Sequence, residues 1–314
     1  MTQPTVNVVQ AVDPVLTNML ISYMQADNRF IADRLAPAVP VEFITDTFYK
    51  LAKRALFQNE AKTRAPGGPV PRGGYTLETD TVTTVQKALG HQIPREVRAN
   101  NQAPLSLERV GLQYLSANHM IEREVRMAAA AFVTTVWGTD NTTATDWDDF
   151  AGSDPVNDIK TAKRTISQAT GLDANTMAMG EIVIDALENH PDLIDRIKYT
   201  QAATSATVRA ALASIFELQL LVGKAIRDTA NEAVTASFSP IIDDDCLICR
   251  VEPGADMMSV SALKTFYWAP GGGMGVTEPM WFDNYTKSDV IDSFQQNAHK
   301  VTGSDLGYFF SDIV

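Results

Sequence analysis

The stretch DIKTAKRTISQATGLDANTMAMGEIVIDALENHPDLIDRIKY, residues 158 to 199, decides the fold class. Ile159, Ala162, Ile166 and Ala169 recur at steps of three and four, which predicts a helix from Asn157 to Thr170 closed by Gly171. NTMAM at 175 to 179 reads as a short buried strand, and Gly180 then leads into a second helix, EIVIDALENH, that Pro191 stops. Helices and short strands mix here, so this half of the chain is α+β.

Toward the C-terminus, LASIFELQLLVGKAIRDTA (212–230) is a helix turn feeding a strand, and CLICRV (246–251) and SALKTFYWAP (261–270) add two more strands. Toward the N-terminus lies a polar bridge from Thr139 to Pro155, rich in Asp, Thr and Gly. Before it, Ser106 is placed to cap a helix with Glu108 in its first turn, favourable for the helix dipole. Leu107, Val110, Tyr114, Ala117, Ile121, Val125, Ala128 and Phe132 form its apolar stripe, and the helix is expected to run to Trp137 before Gly138 ends it, a spine about 45 Å long.

Residues Val41 to Gly90 read as a long hairpin: EFITDTFYKLAKRALF outward, YTLETDTVTTVQKAL back, and a Pro and Gly cluster from Pro66 to Gly74 at the tip. Thr79, Thr81 and Thr83 alternate with Asp80, Val82 and Thr84, too polar on either face for a core, so water or a neighbouring molecule is the expected partner; a plain surface loop is the alternative. The first 40 residues read as an arm, with Val6, Val8, Val9, Val12, Val15, Leu16, Met19 and Leu20 interrupted by Pro4, Pro14, Pro37 and Pro40. A short amphipathic helix fits within 14 to 35, carrying Leu16, Leu20, Tyr23 and Met24 on one face, and an ordinary first helix of a globular domain is its rival.

At 314 residues the chain has room for two lobes with real cores. Net charge is −12, which argues against a large nucleic-acid footprint. Residues 1 to 100 carry 11 Lys and Arg against 9 Asp and Glu, leaving 15 against 29 in the remainder, so the front section is matched to lie on the acidic body of another copy. The N-terminus has no basic start followed by a long apolar run, and no apolar stretch nears the roughly 20 residues that span a bilayer, so a soluble protein without a signal segment is expected.

Few residues offer chemistry. Cys246 and Cys249 have CxxC spacing, but a strand places them on opposite faces, which favours buried structural thiols over a redox pair or zinc site. His91, His119, His190 and His299 show no metal-ligand spacing and no triad pattern. Asp243, Asp244 and Asp245 suit a turn before a strand better than a divalent-ion site. The run from Ala269 to Gly275, APGGGMG, lacks the Lys and Ser or Thr of a phosphate loop and reads as a flexible turn. Lys50, Lys53, Arg54, Lys62, Arg64 and Arg72 are better matched to acidic protein neighbours than to nucleic acid. No catalytic, cofactor-binding or metal residue is assigned, no cofactor is expected, and the chain is not expected to be an enzyme.

The order of these parts resembles the major capsid (coat) proteins of tailed bacteriophages, with the fold named after phage Hong Kong ninety-seven, across nearly the whole chain. Ile159, Gly171, Asn175, Thr176, Leu187, His190, Pro191 and Ile197 carry the likeness in 158–199; Leu212, Phe216, Val222, Gly223 and Ala225 carry it next, with the ending SDLGYFFSDIV. The resemblance implies an N-terminal arm (1–40), an extended hairpin loop (41–90), a peripheral domain with a spine helix (91–157), an axial domain (158–268) and a return to the peripheral domain (269–314). It implies self-assembly into hexamers and pentamers of an icosahedral head enclosing double-stranded DNA without sequence-specific binding, built in the host bacterial cytoplasm without a membrane. Portal, scaffolding and decoration proteins are the further partners it implies. Some coats join a loop Lys to a neighbour's Asn; Lys62 lies in the loop, and no crosslink is assigned to it. The rivals are an encapsulin-like cargo shell, which shares the fold, and a soluble α+β enzyme.

Overall fold

The computed structural model describes residues 25–51, 53–100, 106–141, 145–197, 205–231, 234–254 and 256–314. The valines of 6 to 15 and the helix face of Leu16, Leu20, Tyr23 and Met24 lie outside the described residues.

A 3-10 turn (Asp27–Arg29) and a short helix α1 (Ala32–Leu35) open the described chain, followed by β1 (Ala38–Val41). Strands β2 (Thr45–Leu51) and β3 (Leu77–Thr83) pair antiparallel from Thr45 with Thr83 to Leu51 with Leu77, so the long hairpin is real. Between them stands a five-residue helix, α2 (Lys53–Phe57), and the Pro and Gly run that follows is exposed. Strand β4 (Val85–Pro94) continues straight on, and α3 (Arg95–Ala99) ends this part.

The long helix α4 (Leu107–Ala131) starts where its cap requires, the Ser106 hydroxyl accepting from the Arg109 N–H at 3.3 Å. It stops at Ala131, not Trp137, and so spans about 37 Å. Val133, Thr134, Thr135 and Val136 are four β-branched residues in a row, poor helix material, and Thr135 takes φ +72°. Trp137 instead folds back and donates its indole N–H to the freed carbonyl of Ala131 at 2.7 Å. The buried face also differs from the expected stripe: Gly111, Leu115, His119, Glu124, Met127, Ala128 and Ala131 point inward, while Tyr114 is 50% exposed. Packing overrode periodicity because the helix lies on a strand whose facing side chains are themselves polar.

Next come strand β5 (Thr139–Asn141), helix α5 (Pro155–Thr170), strand β6 (Thr176–Gly180), helices α6 (Glu181–Asn189), α7 (Pro191–Ile197) and α8 (Ser205–Phe216), and strand β7 (Gln219–Gly223). Of these, α5, β6, α6 and β7 follow the sequence expectation, whereas β5 lies in the stretch read as a polar bridge, α7 was not expected, and α8 is a full helix where only a helix turn was. Asp154 caps α5, and Gly171 at φ +70° ends it. Pro191 begins the next helix rather than merely stopping the previous one. After the small ribbon β8 (Ile226–Asp228) and β9 (Phe238–Pro240) come β10 (Cys246–Cys249), β11 (Leu263–Trp268), β12 (Val276–Thr277), β13 (Trp281–Asp283), the 14-residue β14 (Ser288–Val301) and β15 (Gly307–Phe310).

Two sheets organise the molecule. The five-stranded sheet runs β5-β15-β10-β6-β7 and is buried on both faces, which is why Thr176–Gly180 has no alternation. One face packs Met177, Met179, Cys246, Ile248 and Phe310 against Ile159, Ile166, Leu187 and Phe216; the other packs Ala178, Leu247, Cys249 and Phe309 against Ile31, Leu35, Met127 and Leu263. The second sheet runs β1-β11-β14-β12, with β13 and β4 also on β14. Its members come from the front and back of the chain: β4 and β11 join the sheet under α4, whereas β15 joins the other.

The described part of the front section, from Gln25 on, packs into its own molecule. Ile31, Leu35 and Ala36 are fully buried in their own molecule, and Val39 and Val41 join Phe48, Val82 and Phe266 in a smaller core. The β3 face expected to be too polar therefore buries Val82 and Thr84. The glycine turn at 271–273 is packed rather than flexible: Gly271, Gly272 and Gly273 are buried, Gly272 has φ +104°, and the Gln296 N–H donates to the Gly273 carbonyl at 2.9 Å.

Candidate assembly interface

The hairpin is fixed at its base and open beyond it. Phe48 stacks on Phe266 with ring centroids 5.5 Å apart, and Val82 closes the same cluster. On the next strand position Asp80 accepts from Lys50 at 2.9 Å and Lys300 at 2.5 Å, and both ammonium groups lie over the Phe48 ring. Burial alone raises the Asp80 carboxyl, but the two lysines outweigh it and hold the group at about 2.

Past Leu51 and Leu77 the two arms of the hairpin no longer pair. Leu56 (65%), Phe57 (64%), Val70 (64%) and Tyr75 (70%) stand exposed there, among exposed Lys62, Arg64 and Arg72. Of the basic cluster, Lys50 and Lys53 are tied down by Asp80 and Asp305, the latter at 2.7 Å, and Arg64 donates to the Gly68 carbonyl. An apolar surface interleaved with cations is an adhesive face for protein, not a core. The solvent side of α4 adds Leu112 and Tyr114.

The first described segment, from Gln25 to Leu35, is anchored to β8 and to α4. Gln25 exchanges two hydrogen bonds with Ile226, donating at 2.7 Å and accepting at 3.0 Å. Asp33 pairs with Arg123 at 2.9 Å, and buried Glu124 accepts from the main-chain N–H groups of Ile31 and Ala32. Burial pushes the Glu124 carboxyl up against the pull of those two donors.

The residues singled out for chemistry are dispersed. Cys246 and Cys249 face opposite cores, and burial drives the first thiol well above its ordinary value and the second to about 12. His91 lies on β4 beside Tyr114; His190, at the α6–α7 junction, contacts the Ser153 hydroxyl at 3.1 Å; His119 and His299 sit between α4 and β14. Asp243, Asp244 and Asp245 form the turn before β10, where Asp245 accepts the Asp312 N–H at 3.2 Å and is pushed up to about 6 by burial and by the neighbouring carboxylates. Among the described residues no three His, Cys, Asp or Glu are grouped as metal ligands, and no helix is long and apolar enough to cross a membrane. Sequence reading missed Glu124 and the polar face of β14; an acidic residue in register with Met127 and Ala131 was the available signal.

A double-sheet α+β body thus carries a long helix, a pinned first described segment, and a hairpin whose far part exposes apolar and basic side chains. Residues 132–258 match the family model described as phage major capsid protein E. The major capsid protein of Burkholderia phage BcepMu is 31% identical over 224 residues, covering 68% of this chain and 69% of the relative. The chain belongs to the phage major capsid protein family, and its function is that of a building block of the phage shell. A phage-related protein from Bordetella bronchiseptica RB50 has the same fold, with TM-score 0.71, 23% identity, and coverage of 96% of this chain and 97% of the other. The capsid protein of cyanophage P-SCSP1u follows at TM-score 0.60 and 10% identity, covering 92% and 89%. An encapsulin from Synechococcus elongatus PCC 7942 matches at TM-score 0.54 and 10% identity over 100% and 91% of the chains, a likeness of fold alone, so family membership decides for the phage reading.

Proposed function

We propose that this protein assembles in the host cytoplasm, in the manner of the Hong Kong ninety-seven type, into hexamers and pentamers of an icosahedral head around double-stranded DNA. The body around β14 and α4 would be the peripheral domain, and the five-stranded sheet with its helices the axial domain. The carrying observation is the hairpin, which stacks Phe48 on Phe266 at its base yet leaves Phe57, Val70 and Tyr75 64–70% exposed at its tip. Such a surface is satisfied when it covers a sister copy, and repetition around a closed lattice lets a small surplus per contact suffice. Lys62, Arg64 and Arg72 suit the acidic remainder of a neighbour. Portal, scaffolding and decoration partners would meet the finished lattice, DNA would be enclosed without base readout, and the chain works through surfaces with no catalytic step.

Negative-stain microscopy and sedimentation of the purified chain test this. Closed shells or capsomers are expected, and replacing 58–74 with a short Gly-Ser linker should leave folded subunits that no longer close. A chain that stays a monomer under every assembly condition, or a loop-less variant that closes normally, overturns it.

A further inference from the structure

The inward face of β14 between α4 and the sheet is polar where a core strand is normally apolar. Ser293, Gln295, Asn297 and His299 occupy successive same-face positions, and the first three are at most 4% exposed. Opposite them α4 presents His119, Glu122, Arg123 and Arg126. Arg126 donates to the Asn297 carbonyl at 2.9 Å and to its side-chain oxygen at 2.5 Å; Glu122 takes Arg126 at 2.6 Å and the Gln295 amide at 2.6 Å. His299 shares a hydrogen bond with the Thr265 hydroxyl of β11 at 2.8 Å.

This seam is not fully satisfied. His119 Nε2, Gln295 Oε1, Asn297 Nδ2 and His299 Nε2 are buried without a hydrogen-bond partner among the described residues, while Arg126 Nε is held by Glu122. Buried groups left unpaired cost free energy, so a seam that concentrates them is held less firmly than the apolar packing of Met127 and Ala131 in the last turns of the same helix. Two of the four belong to histidines, and charging either places a further cation beside Arg123 and Arg126.

We propose that the seam between α4 and β14 is a proton-operated joint, in which charging His119 and His299 drives the helix off the sheet. The groups facing it are Glu122, Arg123 and Arg126 from α4, Lys87 from β4, which lies 3.9 Å from Glu122, Asp33 from α1 through Arg123, and Thr265 from β11. Glu122 is the counter-charge nearest His119, but it is already engaged by Arg126, Gln295 and Lys87. Burial, then Arg126 and Arg123, hold His299 at about 4 instead of 6.5, and burial lowers His119 as well. The sign follows: an opened seam takes up protons as pH falls below 6.5 while the seated one does not until about 4, so seating is secure above 6.5 and lost across that window.

Hydrogen–deuterium exchange of the full chain at about pH 7.5 and about pH 5, corrected for the intrinsic rate, reads the joint directly. From the two His299 values, exchange in 115–128 and 291–300 should speed up about 30-fold at the lower pH relative to the five-stranded sheet. The double variant His119→Gln, His299→Asn should cut that to within about threefold, whereas Asp245→Asn, whose group also titrates near 6, should leave it intact. Equal acceleration across wild-type segments overturns the proposal without any variant, as does a folded double variant that keeps the full response.

Discussion

Glu124 turns one carboxylate onto the main-chain N–H groups of Ile31 at 3.0 Å and Ala32 at 2.9 Å, so a residue in the middle of the long helix caps the first helix of the described chain. Both ends of this contact are buried, and neither donor has water to fall back on. Glu124→Ala should therefore destabilise the protein by about 1–3 kcal/mol, with Glu124→Gln, which keeps an acceptor, costing less. Thermal unfolding measures the loss, and trypsin cleavage at Arg29 and Arg34 should quicken in the same order. Equal cleavage in all three proteins would show that the cap does not hold the leader.

Asp80 makes the base of the hairpin sensitive to acid rather than to base. Its carboxyl sits at about 2 against an ordinary 3.8, so its contribution is present above 3.8 and disappears as pH falls from there toward 2. The site is partly open to solvent, and Asp80→Asn should cost only about 1 kcal/mol at neutral pH. The local effect is the useful readout: exchange in 45–50 and 77–83 should rise while the melting temperature moves little. A variant with unchanged exchange there would mean that Phe48 and Val82 suffice.

What the sequence revealed, and what it hid, divides by whether the determinant is local. Gly171 and the stripe Ile159, Ala162, Ile166 specify their element from within a few residues, and α5, β6 and α6 were legible almost to the residue. The face of α4 was not, because Leu115 and Glu124 are chosen by β14 and by Ile31, which are distant in sequence. The hairpin could be seen in the Pro and Gly punctuation, but its docking could not, since Phe48 meets Phe266 over more than 200 residues of chain. The polar face of β14 was written plainly in Ser293, Gln295, Asn297 and His299, yet alternation alone assigns such a face to solvent.

Gly180 is a position where the backbone leaves no room. A Cβ there would overlap the carbonyl oxygen of Asp243, and backbone on both sides prevents the easy yielding a side-chain tip would allow. Gly180→Ala should cost about 3 kcal/mol or more and accumulate as insoluble protein. Gly74→Ala, at a tip position with nothing within 4 Å, should behave as wild type in solubility and melting. Comparing the two in one expression experiment separates packing from any general penalty of removing a glycine, and a soluble Gly180→Ala with an unchanged melting curve would refute the close approach.

Truncations from the N-terminus should divide sharply at the point where the chain enters its own core. Removing 1–24 leaves Gln25, with its two bonds to Ile226, and every buried residue from Ile31 onward. Removing 1–36 deletes Ile31, Ala32, Leu35 and Ala36 from the core they share with Met127, Leu263 and Phe309, and strands the Glu124 carboxylate as well. Ile31 and Leu35 alone account for roughly 3–6 kcal/mol of apolar burial, a large part of a stability that is about 5–15 kcal/mol for a whole domain. The shorter truncation is therefore expected to be soluble, to keep a native circular-dichroism spectrum, and to fail only in shell formation. The longer one is expected to be insoluble or to unfold at a much lower temperature. Equal stability of the two would mean that α1 contributes nothing to the body.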